Sequence, residues 1–217
     1  MSGSSTLVTE KHFAYLAERT RTDDDFLRQL KAAAAAAGIP QIWVAPEQAS
    51  FLQILLRLRG ARDVVEVGTL AGYSSICMAR ALGPEGRVRT IEREAKHAAF
   101  ARQWIAKSDV AGRVEVLEGD AREVLGRLDE ASADACFIDA DKENYPHYLE
   151  HAMRVLRPRG LLLVDNAFAF GELFDPSATD PSVHAVRHFN DLLAARADLH
   201  AVIVPLGDGC WVGAKLE

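Results

Sequence analysis

The sequence DVVEVGTLAGYS occupies residues 63–74 and joins a short apolar run to a loop with two glycines and the start of a helical pattern. The run Asp63–Val67 is rich in valine, as expected of a strand that is buried on both faces of a parallel sheet. Gly68 and Gly72 follow, and glycine permits the tight turn and close backbone approach that a ligand-binding loop requires. A strand, a glycine loop and a helix in this order indicate the first unit of an α/β fold.

The same alternation continues to the C-terminus. Six more strands are predicted at residues 88–91, 114–117, 133–138, 161–164, 201–204 and 210–212. Helices are predicted at residues 73–82, 95–108, 121–128, 145–156 and 183–195. We therefore predict a Rossmann-like, doubly wound α/β fold with a seven-stranded sheet.

The first part of the chain has a helical pattern instead. Helices are predicted over residues 12–20, from Asp23–Asp25 to Gly38, and over residues 46–58. Acidic residues are favoured at a helix N-terminus, which is how we interpret the three aspartates. Because no linker, repeat or low-complexity segment divides the chain, we predict one domain over residues 1–217, with a helical extension at 1–40 and a catalytic core at 41–217.

Composition and charge limit the partners. The 217 residues are 49% hydrophobic and 26% charged, with a net charge of −6, which is ordinary for a globular protein and gives no basic surface for nucleic acid. Residues 1–6 lack the apolar core of a signal peptide, and no apolar stretch is long enough to span a membrane. We expect a cytoplasmic protein that binds no membrane, and we regard nucleic acid as an unfavoured partner.

Ligands of open α/β sheets bind beyond the carboxyl ends of the strands, so the residues that follow each strand are the candidates. The Gly68–Gly72 spacing is GxxxG rather than the GxGxxG of dinucleotide sites, which suits a cofactor without a pyrophosphate. We interpret Glu66 as a partner for amino groups of that cofactor; a salt bridge at the strand end is the alternative.

The next two strands end in acidic residues. Glu92 lies 24 residues beyond Gly68, the position at which an acidic residue accepts hydrogen bonds from ribose hydroxyls. A charged surface turn is the alternative there. After the third strand, Asp120 and the N–H of Ala121 could bind an adenine, and Asp120 could equally well be the N-cap of the following helix.

The fourth and fifth strands end in oxygen ligands. Asp139 follows the fourth strand, and Asp165 and Asn166 follow the fifth. Two carboxylates and an amide oxygen suit a hard cation such as Mg²⁺, although an Asp-Asn pair alone would more often form a turn. Lys142 lies three residues beyond Asp139, and a lysine beside a divalent cation is deprotonated more readily, so we interpret it as a general base. A solvated surface lysine is the alternative.

Four motifs together resemble the cation-dependent O-methyltransferases, which include catechol and caffeoyl-CoA O-methyltransferases. The resemblance runs from about Pro46 to the C-terminus. Its motifs are the loop from Glu66 to Ser74, the run Phe137-Ile-Asp-Ala-Asp-Lys-x-Asn-Tyr145, the pair Asp165-Asn166 and the turn Pro205-Leu-Gly-Asp-Gly209.

The resemblance implies a class I methyltransferase fold, S-adenosylmethionine as the cofactor, a divalent cation (Mg²⁺, or Mn²⁺ or Ca²⁺), a catechol-like small-molecule acceptor and a homodimer. It also implies that the N-terminal helices help to cover the acceptor site, with Lys142 as the base. The metal ligands would be Asp139, Asp165 and Asn166. The expected cofactor contacts are Val44, Glu66, Gly68, Thr69, Gly72, Ser74, Glu92, Asp120, Ala121, Asp139 and Asp141.

One segment departs from the family pattern. Relatives carry a tryptophan and then a polar acceptor contact where this chain has Ala169 and Phe170. This departure disfavours caffeoyl-CoA and favours a smaller or more apolar phenol. Alternatively, Phe168 and Phe170 are loop residues that pack into the core.

The same motifs and the charge bear on three alternative functions. A methyltransferase of a hydroxylated tRNA base would share the scaffold, but the acidic net charge disfavours it. The GxxxG spacing disfavours a nicotinamide oxidoreductase. The intact set of Asp139, Lys142, Asp165 and Asn166 disfavours a binding protein without catalytic activity.

Overall fold

A computed structural model describes residues 8–217 of the chain. The first seven residues of the predicted helical extension lie outside the described residues. Three helices precede the sheet: α1 (Glu10–Ala17), α2 (Asp25–Ala36) and α3 (Pro46–Arg59). Asp24 caps α2 by accepting a hydrogen bond of 2.9 Å from Leu27 N, so the interpretation of the aspartates as a helix start is confirmed.

Strands and helices then alternate. The strands are β1 (Asp63–Val67), β2 (Arg87–Glu92), β3 (Val114–Glu118), β4 (Ala133–Ile138), β5 (Leu156–Val164), β6 (Leu199–Val204) and β7 (Cys210–Lys215). The helices between them are α4 (Tyr73–Ala81), α5 (Ala95–Ile105), α6 (Ala121–Arg127), α7 (Tyr145–Val155) and α8 (Pro181–Ala194). Short 3-10 turns occupy Ala111–Arg113, Lys142–Asn144 and Ala169–Gly171.

The strands form one sheet in the order β3-β2-β1-β4-β5-β7-β6. Strands β1 to β5 pair in parallel, and β7 is antiparallel to both β5 and β6. The predicted seven-stranded doubly wound sheet is therefore confirmed. The strand order reverses between β1 and β4, and ligand crevices open beyond the carboxyl ends of the strands at such a point.

Helices cover both faces of the sheet. Val64 of β1 packs in the cluster that includes buried residues of α2, α3 and α4, whereas Val65 packs in the cluster formed with α6, α7 and α8. Alternate residues of a strand point to opposite faces, so both belong to the core. The six residues of β4 are all buried, and all of them except Asp134 are apolar, as expected of a central parallel strand.

Strand β5 begins earlier than predicted. The sequence predicts residues 161–164, because Pro158 and Gly160 resemble a turn, yet β5 starts at Leu156. Leu156 pairs with Ala133 and Leu161 with Ala135, so the pairing skips residues 157–160 in an irregularity beside β4. A bulge accommodates a proline and a glycine that a regular ladder would not.

None of the helices within residues 8–217 is long and apolar enough to cross a bilayer.

Removal of apolar contacts from α3 should destabilise the fold. Leu56 is fully buried in the cluster shared with α4, so Leu56→Ala is expected to lower the free energy of unfolding by about 2–5 kcal/mol. Leu58→Ala is the matched control, because Leu58 lies two residues away on the same helix and is 81% exposed. The control should stay within about 0.5 kcal/mol of the unsubstituted protein. Urea denaturation measures both, and equal losses would contradict this description of the core.

Candidate functional site

A cavity of about 660 Å³ opens beyond the carboxyl ends of β1, β2, β3, β4 and β5. It lies at the reversal of strand order, where the parallel sheet predicts a ligand site. The predicted site residues that line it are Val44, Gly68, Thr69, Ser74, Glu92, Asp120, Ala121, Asp139, Asp141, Lys142, Asp165 and Asn166. Glu66 and Gly72 do not line it, and their contacts with a cofactor stay predictions.

Gly68 is required by the contact between β1 and β4. Val67 pairs with Ile138, so the next residues of the two strands, Gly68 and Asp139, also lie side by side. A Cβ on Gly68 would come within 1.9 Å of the Asp139 carbonyl oxygen, and its φ of +101° suits glycine. The glycine therefore allows the loop and the first acidic residue of the site to approach each other.

Glu66 lies beneath this loop and is fully buried. Its carboxylate accepts hydrogen bonds from the hydroxyls of Ser74 (2.5 Å) and Ser75. Burial raises the pKa of Glu66 to about 7, although both serine hydrogen bonds oppose the shift. The structure thus shows hydrogen bonds to serines where the sequence suggested a cofactor contact or a strand-end salt bridge. Glu66 is connected to the cavity only indirectly, because Ser74, which lines the cavity, donates a hydrogen bond to it.

Glu92 and Asp120 lie at the predicted nucleoside end of the cavity. Glu92 accepts backbone hydrogen bonds from Leu70 (2.8 Å) and Glu94 (2.9 Å). Asp120 caps α6 through Arg122 N (2.9 Å), which confirms the helix-cap interpretation. Hydrogen bonds from the Arg122 side chain and backbone lower the pKa of Asp120 to about 2. The ribose and adenine contacts of these two residues stay predictions.

The two aspartates from β4 and β5 meet with a lysine. Ile138 pairs with Val164, which places Asp139 and Asp165 next to each other. Lys142 Nζ lies 3.3 Å from Asp139 Oδ1 and is buried, so it is not a solvated surface lysine. Asp165 is only 6% exposed, and its burial and the nearby Asp139 charge both raise its pKa above the usual range.

Asp141 is held by its own neighbours. Its carboxylate accepts hydrogen bonds from Tyr148 (2.7 Å) and from the Asn144 amide. Burial alone would raise the pKa of Asp141, but these two hydrogen bonds bring it below the ordinary value. Asp141 therefore presents an ionised carboxylate at the cavity wall.

Two side chains to which the sequence assigned no role complete the centre. Gln48 donates from Nε2 to Asp165 Oδ1 at 2.5 Å, and the Tyr145 hydroxyl accepts from Lys142 Nζ at 2.7 Å. Gln48 lies on the buried face of α3 with Leu52 and Leu56, four and eight residues further on. An amide on an otherwise apolar helical face was the signal that could have identified it.

The loop after β5 gives its two phenylalanines different positions. Phe170 is 55% exposed, lines the cavity and has its ring centre 5.8 Å from Lys142 Nζ. Phe168 lies against Gly209, where a Cβ would come within 2.8 Å of its ring. Phe170 is thus a wall of the cavity, whereas Phe168 is a packed loop residue.

The segment between α2 and α3, together with the start of α3, forms one wall of the cavity. The cavity is lined here by Ile42, Trp43, Val44, Ala45 and Gln48, whereas no residue of α1 or α2 lines it. Helix α2 turns its buried residues toward the core, and α1 has none. Within residues 8–217, α1 and α2 thus form no part of the cavity wall, and their cover of the acceptor site stays a prediction.

Clusters of three or more His, Cys, Asp and Glu side chains arranged to hold a metal are absent from residues 8–217. The predicted metal ligands are two carboxylates and an amide oxygen, which is not a cluster of this type. The cation site therefore stays a prediction.

Comparison with known proteins identifies similar chains. Residues 17–216 match the family described as O-methyltransferase. A catechol O-methyltransferase of Niastella koreensis is 40% identical over 195 residues, which cover 88% of this chain and 88% of that protein.

Two solved structures are similar along almost the whole chain. An O-methyltransferase from Bacillus cereus, in complex with SAH, has a TM-score of 0.85 and 36% identity and covers 93% of this chain and 96% of its own. TomG from Streptomyces achromogenes, involved in tomaymycin synthesis and in complex with SAM, has a TM-score of 0.85 and 35% identity, with 94% and 95% covered.

The buried Glu66 should make stability depend on pH. Its pKa is about 7 in the folded chain and 4.5 when unperturbed, so the folded state binds the proton more tightly between these values. The free energy of unfolding should therefore fall as the pH rises from 4.5 through 7. Glu66→Gln removes this titration, and its thermal midpoint should decline less between pH 5.5 and pH 8 than that of the unsubstituted protein.

Glu115→Gln provides the control for this experiment, because Glu115 is an exposed glutamate on β3. It should leave the pH dependence unchanged. If Glu66→Gln and Glu115→Gln gave parallel curves, the assignment of the pH dependence to Glu66 would be wrong.

Proposed function

The chain belongs to the O-methyltransferase family, and on that basis we propose that it methylates one hydroxyl of a catechol-like vicinal diol. The methyl donor is S-adenosylmethionine, and a divalent cation, Mg²⁺ or alternatively Mn²⁺ or Ca²⁺, would hold the diol. The observation that carries this proposal is the meeting of Asp139, Asp165 and Lys142 in one cavity beside the glycine loop.

The glycine-loop end of the cavity suits the methyl donor, which supplies the transferable methyl group when it is bound. Gly68, Thr69 and Ser74 would contact its methionine part, and Gly72 and Glu66 would support them from beneath. Glu92, Asp120, Ala121 and Asp141 would bind the nucleoside. The carboxylates among these residues can accept hydrogen bonds from ribose hydroxyls and the adenine amino group, and the Ala121 N–H can donate to an adenine nitrogen. Val44 and Asp139 would make the remaining cofactor contacts.

The other end suits a cation. Asp139, Asp165 and Asn166 would hold it, because two carboxylates and an amide oxygen are the ligands that Mg²⁺ prefers. Asp139 and the nearly buried Asp165 place two negative charges near one ammonium group, and a divalent cation would neutralise the excess. When bound, such a cation would act as a Lewis acid that lowers the pKa of the acceptor hydroxyls.

Lys142 is placed to take the proton. Its Nζ is held between Asp139 Oδ1 (3.3 Å) and the Tyr145 hydroxyl (2.7 Å), at the wall of the cavity that Phe170 also lines. The Tyr145 hydroxyl in turn donates to the Asp165 carbonyl oxygen at 3.4 Å. These contacts would hold a single nitrogen in place beside a bound acceptor, and orientation of the reacting groups is the main rate advantage available to such a transfer.

The exposed ring of Phe170 favours a phenolic acceptor, because an aromatic wall packs well against an aromatic substrate. The similarity to a catechol O-methyltransferase supports the same class. A homodimer, which the resemblance implies, stays part of this proposal and rests on the resemblance.

Methyl transfer from labelled S-adenosylmethionine tests the proposal directly. Catechol should be methylated in the presence of Mg²⁺, and a chelator should abolish the product, because the two hydroxyls need the cation. Resorcinol is the matched control, since it has the same atoms with non-adjacent hydroxyls and should be a poor acceptor. Full activity toward catechol in chelator would contradict the cation, and equal rates for the two acceptors would contradict the vicinal diol.

Lys142→Ala should lower kcat by about 10²–10⁴-fold, the usual contribution of a general base. The affinity for S-adenosylmethionine, measured by calorimetry, should change much less, because Lys142 lies at the acceptor end of the cavity. Lys107→Ala removes an exposed lysine whose ammonium lies 5.0 Å from the Trp104 ring centre, and it should leave kcat unchanged. Equal losses of turnover and cofactor affinity in Lys142→Ala would refute the role of a base.

A further inference from the structure

Asp208 lies in the turn between β6 and β7 and joins two parts of the loop after β5. Its Oδ2 accepts hydrogen bonds from Asn166 Nδ2 (3.2 Å) and from Phe170 N (2.8 Å). The turn and the loop are also joined through their backbones, because Phe168 N donates to Asp208 O and Ala167 N donates to Gly209 O, both at 2.9 Å. One carboxylate oxygen thus contacts a residue of the predicted cation site and a residue of the acceptor wall.

The contact with Asn166 determines which end of its amide faces the cavity. An asparagine side chain has a donor end and an acceptor end, and an ionised carboxylate can only accept. The amide nitrogen must therefore face Asp208, which turns the oxygen of Asn166 away from it. Only that oxygen can bind a cation, so Asp208 selects the orientation in which Asn166 is a ligand.

The contact with Phe170 holds a backbone that would otherwise relax. Asn166, Ala169 and Phe170 have φ values of +64°, +53° and +59°, in the left-handed region that non-glycine residues avoid. Asparagine tolerates this region better than alanine or phenylalanine does, and Ala169 and Phe170 persist there only because their surroundings hold them. The hydrogen bond from Phe170 N to Asp208 helps to hold the ring of Phe170 over Lys142.

The turn is itself held in place. Gly207 has a φ of +58°, and a Cβ there would come within 2.5 Å of Gln48 Oε1. Gln48 also donates a hydrogen bond to Asp165. The turn therefore packs between the loop after β5 on one side and the Gln48 side chain on the other. Asp208 therefore has little freedom to follow Asn166 or Phe170 if they move.

We propose that Asp208 is a positioning residue that aligns Asn166 for the cation and Phe170 for the acceptor through one shared carboxylate oxygen. This proposal rests on the proposed function, because it assumes a cation at Asp139, Asp165 and Asn166. Asp208 acts through these two residues and needs no contact with the reacting atoms.

Mn²⁺ binding, followed by electron paramagnetic resonance without acceptor, tests the Asn166 contact. Asp208→Ala should weaken Mn²⁺ binding by about 10–100-fold, the usual effect of removing a group that orients a metal ligand. Asp208→Asn should restore most of the affinity, because its amide oxygen can accept both hydrogen bonds. Cofactor affinity, measured by calorimetry, should stay within twofold in both variants and so show that the fold is intact.

Asp180→Ala is the matched control. Asp180 also accepts two hydrogen bonds through one oxygen, from Ser182 N and Oγ, but it caps α8 away from the cavity. It should lose comparable stability without any change in Mn²⁺ affinity. A general loss of stability would therefore affect both variants, whereas a loss of ligand alignment would affect only Asp208→Ala.

A 4-alkylcatechol tests the Phe170 contact, because it can be methylated at either of two hydroxyls. If Asp208 holds the acceptor wall, Asp208→Ala should bring the two products closer to equal amounts. Asp208→Asn should restore the original product ratio. An unchanged ratio together with an unchanged Mn²⁺ affinity would overturn the proposal, as would an Asn variant as impaired as the Ala variant. If the unsubstituted protein bound no Mn²⁺, the cation site itself would be wrong, and this proposal would fall with it.

Discussion

The parallel pairing of β4 between β1 and β5 is the constraint on which the site depends. It brings the residues after the three strands to one edge of the sheet, so that Gly68 lies against the Asp139 carbonyl and Asp139 lies beside Asp165. A side chain at Gly68 would push β1 away from β4 and separate the glycine loop from the aspartates. The two ends of the cavity are therefore parts of a single strand arrangement.

The same arrangement concentrates negative charge in a poorly solvated place. Glu66, Asp139 and Asp165 approach one another beneath or along the cavity, and burial is the largest cause of the raised pKa values of Glu66 and Asp165. Buried carboxylates are costly unless hydrogen bonds or opposite charges compensate them. Hydrogen bonds from Ser74 and Ser75 compensate the burial of Glu66. Gln48 and Lys142 compensate the two aspartates only in part, so a further positive charge would be favourable there.

Much of the fold followed from hydrophobic patterning. The strands β1 and β4 have the bounds that the sequence predicts, because both runs are mostly apolar and are followed by glycine or aspartate. The start of β5 was missed, because Pro158 and Gly160 signal a turn locally while pairing with β4 extends the strand. Cover of the acceptor site by α1 and α2 stays a prediction, because local sequence patterns do not fix where a helix packs.

By itself, the sequence determined the α/β architecture and most of the residues at the cavity, because a parallel sheet places the residues that end its strands at one edge. Only the tertiary structure decided that Glu66 lies beneath the loop, that Gln48 and Tyr145 hold Asp165 and Lys142, and that Asp208 contacts both Asn166 and Phe170. Asn166 and Asp208 are 42 positions apart in the sequence, and Gln48 and Asp165 are 117 positions apart. Local patterns carry no information about such distances, because the partners meet only after the sheet has formed and the helices have packed on it.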